Sequence, residues 1–287
     1  MNVKMTQMIK TDLDKDASSP RGIRLVKELE ETYLTLGRAP PEQRAAIMKR
    51  IKSFEKELVK LTGCKKVIGT TLERLFLTSK RVGDYFFIAT KDANVIKRHK
   101  KRYEIGGEII RAGDTVVDFG CGSGYGAEII ARKGGKKIIG FDYDAPTVEY
   151  ARATYGKLAD FYVADITDLA KIDDRSKFSP AIKKGSVDSF LAIEIIEHVP
   201  KVVGEKIVDY IHWALKPCGR FAVSTPIAQK SGPNPANPYH VHEYTESEFK
   251  TLLESRFGKN VVYKAQDPVV LTDGQLKGMI VAFGTKR

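Results

Sequence analysis

The chain has 287 residues, of which 42% are hydrophobic and 29% charged, with a formal net charge of +12. That length exceeds the usual size of one domain, about 100 to 200 residues, and is enough to bury a substantial core. The sequence has no run of 18 apolar residues, and residues 1–19 are polar and charged, which argues against a spanning helix or secretory leader and for a cytoplasmic protein. Cys64, Cys121 and Cys218 lack paired or Cys-x-x-Cys spacing, which suits a reducing compartment.

In chain order, residues 23–36 and 41–61 read as two helices separated by Gly37-Arg-Ala-Pro-Pro41 and closed by Gly63. Pro41 suits a first helical turn, and Ile47, Ile51, Phe54, Leu58 and Leu61 recur at spacings of three and four, which makes one face apolar. Residues 1–105 hold 24 Lys plus Arg against 13 Asp plus Glu, a net of +11, whereas residues 106–287 hold 24 against 23, a net of +1. The basic character therefore belongs to the first third of the chain, and Lys97-Arg-His-Lys-Lys-Arg102 is its densest cluster. Such residues form a solvated outer face in most helices; their sharper use is to attract an anionic partner, a phosphate backbone or a phosphorylated lipid carrier, so nucleic acid is one candidate partner through this region. His99 belongs to this run, and the sequence offers no aromatic platform for stacking bases.

Val116, Val117 and Phe119 form the short apolar run of a strand buried on both faces, interrupted by Asp118. Gly120, Gly122 and Gly124 then permit positive φ and close backbone approach, and residues 125–132 read as a helix whose amino end faces a ligand. A dinucleotide turn requires Gly-x-Gly-x-x-Gly, but Tyr125 stands where its third glycine would be, which weakens nicotinamide as the cofactor. Further apolar runs follow at residues 138–141, ending in Asp142, at 161–164, ending in Asp165, and at 187–193, followed by Glu194-Ile-Ile-Glu-His198. Residues 203–215 read as an amphipathic helix in which His212 packs, Lys216-Pro-Cys-Gly219 as a turn, 220–224 as a strand, and 260–265 with 277–285 as two closing strands. Thr245 and Glu248 form a capping box that starts a helix, and the loop before it delivers His240 and His242.

The arrangement Asp118-x-Gly120-x-Gly122-x-Gly124 resembles the first motif of class I S-adenosylmethionine-dependent methyltransferases, and the later segments agree in order over about residues 95–287. The resemblance implies an α/β fold, a Rossmann-like seven-stranded methyltransferase sheet at residues 95–287, preceded by a basic, mainly helical extension at 1–94. It implies that S-adenosylmethionine is held by Asp118, Gly120, Cys121, Gly122 and Tyr125, with Asp142 on the ribose, Asp165 and Ile166 at the adenine, and Glu194 at the reactive end. Tyr143 has the aromatic face to stack on the adenine or to pack beside its strand. Cys218 stands where the family's Leu-Lys-Pro-Gly-Gly turn has its first glycine.

Methyl transfer needs an acceptor held in line with the methyl and often a base. If the chain turns helically after residue 193, Glu194, Glu197 and His198 project to one side and hold a divalent cation, Mg or Mn, that lowers the pKa of an acceptor hydroxyl. With His240, this set resembles the metal pattern of small-RNA 3′-terminal 2′-O-methyltransferases, and its Glu-x-x-Glu-His part resembles ubiquinone-pathway O-methyltransferases. Arg102-Tyr103, residues 121–126 and residues 237–244 resemble bacterial methyltransferases encoded with surface-polysaccharide genes, in which the same groups act as a base or tie down a loop. Glu194, His198, His240 and His242 are accordingly the catalytic candidates. The loop at 226–239, with four prolines, is long enough to be a lid, and Asn234, Asn237 and Tyr239 would face a polyhydroxylated acceptor. The expected function is O-methylation of a saccharide-containing or other polar small-molecule acceptor; the alternatives are a metal-dependent RNA 2′-O-methyltransferase and a noncatalytic binding scaffold with the same fold.

Overall fold

The computed structural model describes residues 17–70, 74–171, 174–175, 178–179, 181–270 and 276–286. Most of the polar amino-terminal stretch read from the sequence lies outside them. The chain divides into two compact units, Met1–Lys97 and Arg98–Arg287.

In the first unit, α1 (Pro20–Arg38) is capped by Ser19, whose Oγ accepts from Gly22 N at 3.1 Å, and α2 (Pro41–Thr62) ends at Gly63 with φ 64°. Leu25 and Leu29 of α1 and Ile51 and Leu58 of α2 bury the facing stripes of the two helices. Beside them lies a small sheet absent from the sequence reading: β1 (Lys66–Gly69), β2 (Lys80–Val82) and β3 (Tyr85–Ile88), in the order β1-β3-β2. Its strands are three or four residues long, too short to show a period; Gly83, at φ 54°, makes the turn between β2 and β3. Glu30 of α1 is 5% exposed and ties the unit together, accepting from Ser79 Oγ at 2.6 Å and pairing with Lys91 Nζ at 3.1 Å.

The division falls within α3 (Ala93–Gly106), and the second unit then alternates strand and helix: β4 (Thr115–Phe119), α4 (Gly126–Arg132), β5 (Lys137–Asp142), α5 (Ala145–Tyr155), β6 (Asp160–Val163), β7 (Val187–Ile193), α6 (Lys201–Ala214), β8 (Leu215–Ile227), α7 (Glu246–Phe257), β9 (Val262–Val270) and β10 (Leu276–Thr285). They form one seven-stranded sheet in the order β6-β5-β4-β7-β8-β10-β9. The strands β6 to β8 run parallel, and β10 is antiparallel to both β8 and β9. Val117, Phe119, Ile139, Phe141, Phe190 and Phe221 are at most 1% exposed, as strands covered on both faces require. The strand order reverses at β4, so the crevice beyond the carboxyl end of β4 is where an open α/β sheet receives a ligand.

One expected element does not form. The backbone after β7 is not an α-helix from Glu194: that residue takes φ 56°, and only Ile196–His198 makes a single 3-10 turn. The three side chains expected at i, i+3 and i+4 on one helical side therefore do not project together.

Candidate functional site

The glycine turn leaves β4 with Gly120 N and Cys121 N donating to Phe141 O at 2.8 and 2.9 Å. Its three glycines have φ 76°, 52° and 82°, a region that disfavours any side chain. They differ in what surrounds them. A Cβ on Gly120 would lie 2.4 Å from Ile195 Cδ1, and one on Gly124 would lie 2.8 Å from Ala151 Cβ, so these positions are closed by packing. A Cβ on Gly122 would meet nothing within 4 Å. The turn therefore has a bare, open backbone surface at its centre.

Acidic residues gather around this turn. Asp142, at the end of β5, accepts from Gly122 N at 2.9 Å and from Asp144 N at 3.0 Å, and carboxylate oxygens retain further lone pairs for hydroxyl donors. Asp118 is 1% exposed and accepts from Tyr103 Oη, which lies 3.0 and 3.2 Å from its two oxygens. Burial pushes the Asp118 carboxyl up to about 7; the hydrogen bond from Tyr103 opposes the rise, and the charge of Asp142 adds to it. Burial likewise pushes the Cys121 thiol well up, so it is a packing group beneath the turn. Asp165 caps the short turn Ile166–Ala170 by accepting from Thr167 N at 2.9 Å, with Ile166 buried beside it. Tyr143 is 64% exposed, which places its ring on the surface.

Helix α3 brings residues to the turn that the sequence reading did not assign to the site. Tyr103 packs edge-on against Tyr125 at 5.4 Å, Tyr125 Oη lies 3.4 Å from His99 Nδ1, and Arg102 Nη1 pairs with Glu194 Oε2 at 3.1 Å. His99, Arg102 and Tyr103 stand at i, i+3 and i+4, so helical spacing within the basic run was the available signal.

A second group lies beyond β7. Glu197 is fully buried, and ligand atoms of Glu197, His198 and His240 all come within 4.8 Å of one another. The rings of His198 and His240 meet edge-on at 5.1 Å. His198 Nδ1 lies 2.9 Å from Tyr239 O and His240 Nδ1 lies 2.5 Å from Glu243 Oε1; both oxygens accept, so each Nδ1 donates, and in the neutral imidazole the lone pair is on Nε2.

Glu194 stands apart from this group: it accepts from Ser224 Oγ at 2.8 Å and pairs with Arg102. His242 is also turned elsewhere, with Nε2 3.3 Å from Glu248 Oε1. Asn234 donates to Glu243 Oε1 at 2.7 Å, and Asn237 Oδ1 accepts from Tyr239 N at 3.2 Å, so both asparagines brace the 226–239 loop. Thr245 caps α7 as expected, accepting from Glu248 N at 3.2 Å, but the Glu248 carboxylate pairs with Lys201 at 2.6 Å.

Parallel strands whose order reverses at β4, an open glycine turn at the reversal and acids at the ends of β5 and β6 are the features of a class I S-adenosylmethionine-dependent methyltransferase fold. The family model for the methyltransferase domain matches residues 116–219, and this segment belongs to that family. Over 147 residues the chain is 34% identical to a probable S-adenosylmethionine-dependent methyltransferase of Mycolicibacterium smegmatis, covering 50% of this chain and 51% of that protein. It is 32% identical to the sterol 24-C-methyltransferase of Saccharomyces cerevisiae, over 63% of this chain and 44% of that protein. It is also 32% identical to a ubiquinone biosynthesis O-methyltransferase of Xanthomonas euvesicatoria, over 40% and 44%. The chain thus spans about half the length of the curated relatives it matches. Among solved structures, the geranyl diphosphate C-methyltransferase of Streptomyces coelicolor superposes with a TM-score of 0.52 at 15% identity, over 68% of this chain and 80% of that one, a likeness of fold alone. Among the described residues, no helix is long and apolar enough to cross a membrane.

Proposed function

We propose that this chain transfers a methyl group from S-adenosylmethionine to a hydroxyl of a saccharide-containing or other polar acceptor. One juxtaposition carries the reading: Ile195 closes against Gly120, and within three residues of it the chain reaches His198, at the carboxyl end of the same sheet. The open face of Gly122 fits a ligand that presses on the backbone, and Asp142 and Asp165 fit its ribose and adenine. Bound S-adenosylmethionine supplies an electrophilic methyl on a sulfonium; a C–O bond forms as the C–S bond breaks, and the acceptor proton must leave. His198 or His240 accepts that proton at Nε2, and the buried Glu197 carboxylate stabilises the resulting imidazolium. Glu194, held by Ser224 and Arg102, fixes the end of β7.

The same three side chains also fit a divalent cation. Two imidazoles and one carboxylate suit Mn better than Mg, whose preferred ligands are all oxygens. Such an ion would lower the pKa of an acceptor hydroxyl. In this reading Glu197, His198 and His240 are the ligands, and Glu194 is not.

Transfer of labelled methyl to separated glycan-plus-lipid and RNA fractions tests the proposal. Label is expected in the glycan-containing fraction, falling about 10²-fold or more in at least one of His198→Ala and His240→Ala, the usual scale for loss of a general base. Loss of label on chelation with recovery on Mn addition would assign the histidines to a metal; insensitivity to chelator would leave them as the base. Label confined to RNA would overturn the acceptor class.

A further inference from the structure

The outer side of α2, in the first unit, carries a row of lysines. Lys49, Lys52, Lys56 and Lys60 stand at i, i+3, i+7 and i+11, which puts them on one side of the helix over about 16 Å of its length. All four are exposed, and none has an ion-pair partner among the described residues. The opposite side is taken up by packing: Ile51 and Leu58 are fully buried, and Ile47 and Phe54 pack against the same cluster. The acids of the helix do not answer the row either. Glu57 pairs with Arg21 at 2.6 Å, Glu55 accepts from Tyr33 Oη, and Glu42 lies in the first turn.

Lys52 with Lys56, and Lys56 with Lys60, are like-charged neighbours at i, i+4, an arrangement that weakens a helix. Only Lys60, in the last turn, is favoured by the helix dipole. The row therefore works against the helix that carries it, which points to an anion outside the chain. Its chemistry narrows that anion. Lysine offers a point charge without the guanidinium fork that suits specific phosphate contacts. A nucleic-acid strand is held in a basic groove with stacking aromatics, whereas these lysines ride on the outer side of a helix whose one aromatic, Phe54, packs inward. Four cations in line on one helix face, with the small side chain of Ala45 exposed on the same side, suit a flat anionic surface such as a phospholipid bilayer.

We propose that the lysine face of α2 docks the chain on an anionic phospholipid surface, with the four ammonium groups against lipid phosphates and the helix lying along the headgroups. Docking is independent of methyl transfer and is measured without it. The experiment is co-sedimentation of the full chain with vesicles of phosphatidylcholine alone and of phosphatidylcholine mixed with phosphatidylglycerol, alongside binding to poly(U) RNA. Binding to the mixed vesicles is expected to be at least tenfold tighter than to phosphatidylcholine and to be lost in high salt. Each lysine of the row changed to Gln should weaken it about fivefold, the scale of one cation at an anionic surface. Lys49→Gln, Lys52→Gln, Lys56→Gln and Lys60→Gln together should reduce it to the phosphatidylcholine level. The same change at Lys157, Lys183, Lys184 and Lys259, exposed lysines of the second unit, removes equal charge and should leave it within about threefold. The thermal midpoint of the α2 variant should match or exceed that of the unaltered chain, since two repulsive pairs are gone, and reports that it folds. No preference for the mixed vesicles, equal loss in the two fourfold variants, or tighter binding to poly(U) that the α2 substitutions abolish would overturn the proposal.

Discussion

Asp118, beneath the glycine turn, has a carboxyl raised well out of its ordinary range. Its carboxyl titrates near 7 in the folded chain against 3.8 in the unfolded one, because burial disfavours the anion. Between these values the native state holds a proton that the unfolded state has released, so its contribution to stability is full below pH 3.8 and is lost as pH rises through 7. The denaturation midpoint of the ligand-free chain should therefore fall from pH 4 to pH 7.5 more steeply than that of Asp118→Asn. Equal slopes in the two chains would show that Asp118 is ionised in the native state throughout. Tyr103 was visible in the sequence only as part of a local resemblance; that it hydrogen-bonds to Asp118 follows from packing across 15 residues, which no local pattern encodes.

At the scale of elements, the sequence was most informative where periodicity and glycine chemistry act locally. The apolar runs at 116–119, 138–141 and 187–193 became β4, β5 and β7, and Thr245 capped α7. The helical condition placed on the segment after β7 rested on the i, i+3, i+4 spacing of Glu194, Glu197 and His198, whereas the left-handed Glu194 is held by Ser224 and Arg102 from other elements. Cys218 offers a second case of tertiary constraint on backbone. The segment 216–219, expected as a turn before a strand at 220–224, is instead an irregular stretch within β8, where the register with β7 shifts between Leu215 and Arg220; Cys218 takes φ 59° there, at the position where the resembling family has glycine, with its N–H donating to Lys286 O at 2.9 Å. A left-handed residue with a Cβ costs about 1–2 kcal/mol, and glycine's greater unfolded freedom returns part of that. Cys218→Gly should raise stability by about 0.5–1 kcal/mol in chemical denaturation; a loss of stability would mean that the thiol packs usefully.

Across the whole molecule, the methyltransferase unit was legible because its strands, turn and acids follow one another in a fixed order along the chain. The trio Glu197, His198 and His240 was legible only in part: its members are chemically conspicuous, but which of the nearby acids joins them depends on one backbone dihedral. The small sheet of the first unit was not legible, since strands of three and four residues carry too little periodicity. The central claim, that the glycine turn and Asp142 hold S-adenosylmethionine, is tested most directly by calorimetric titration of the full chain with S-adenosylhomocysteine. The account predicts saturable one-to-one binding that weakens at least tenfold in Asp142→Ala, which removes the acceptor for Gly122 N and the carboxylate proposed to meet the ribose. No binding by the unaltered chain, or undiminished binding by Asp142→Ala, would contradict it.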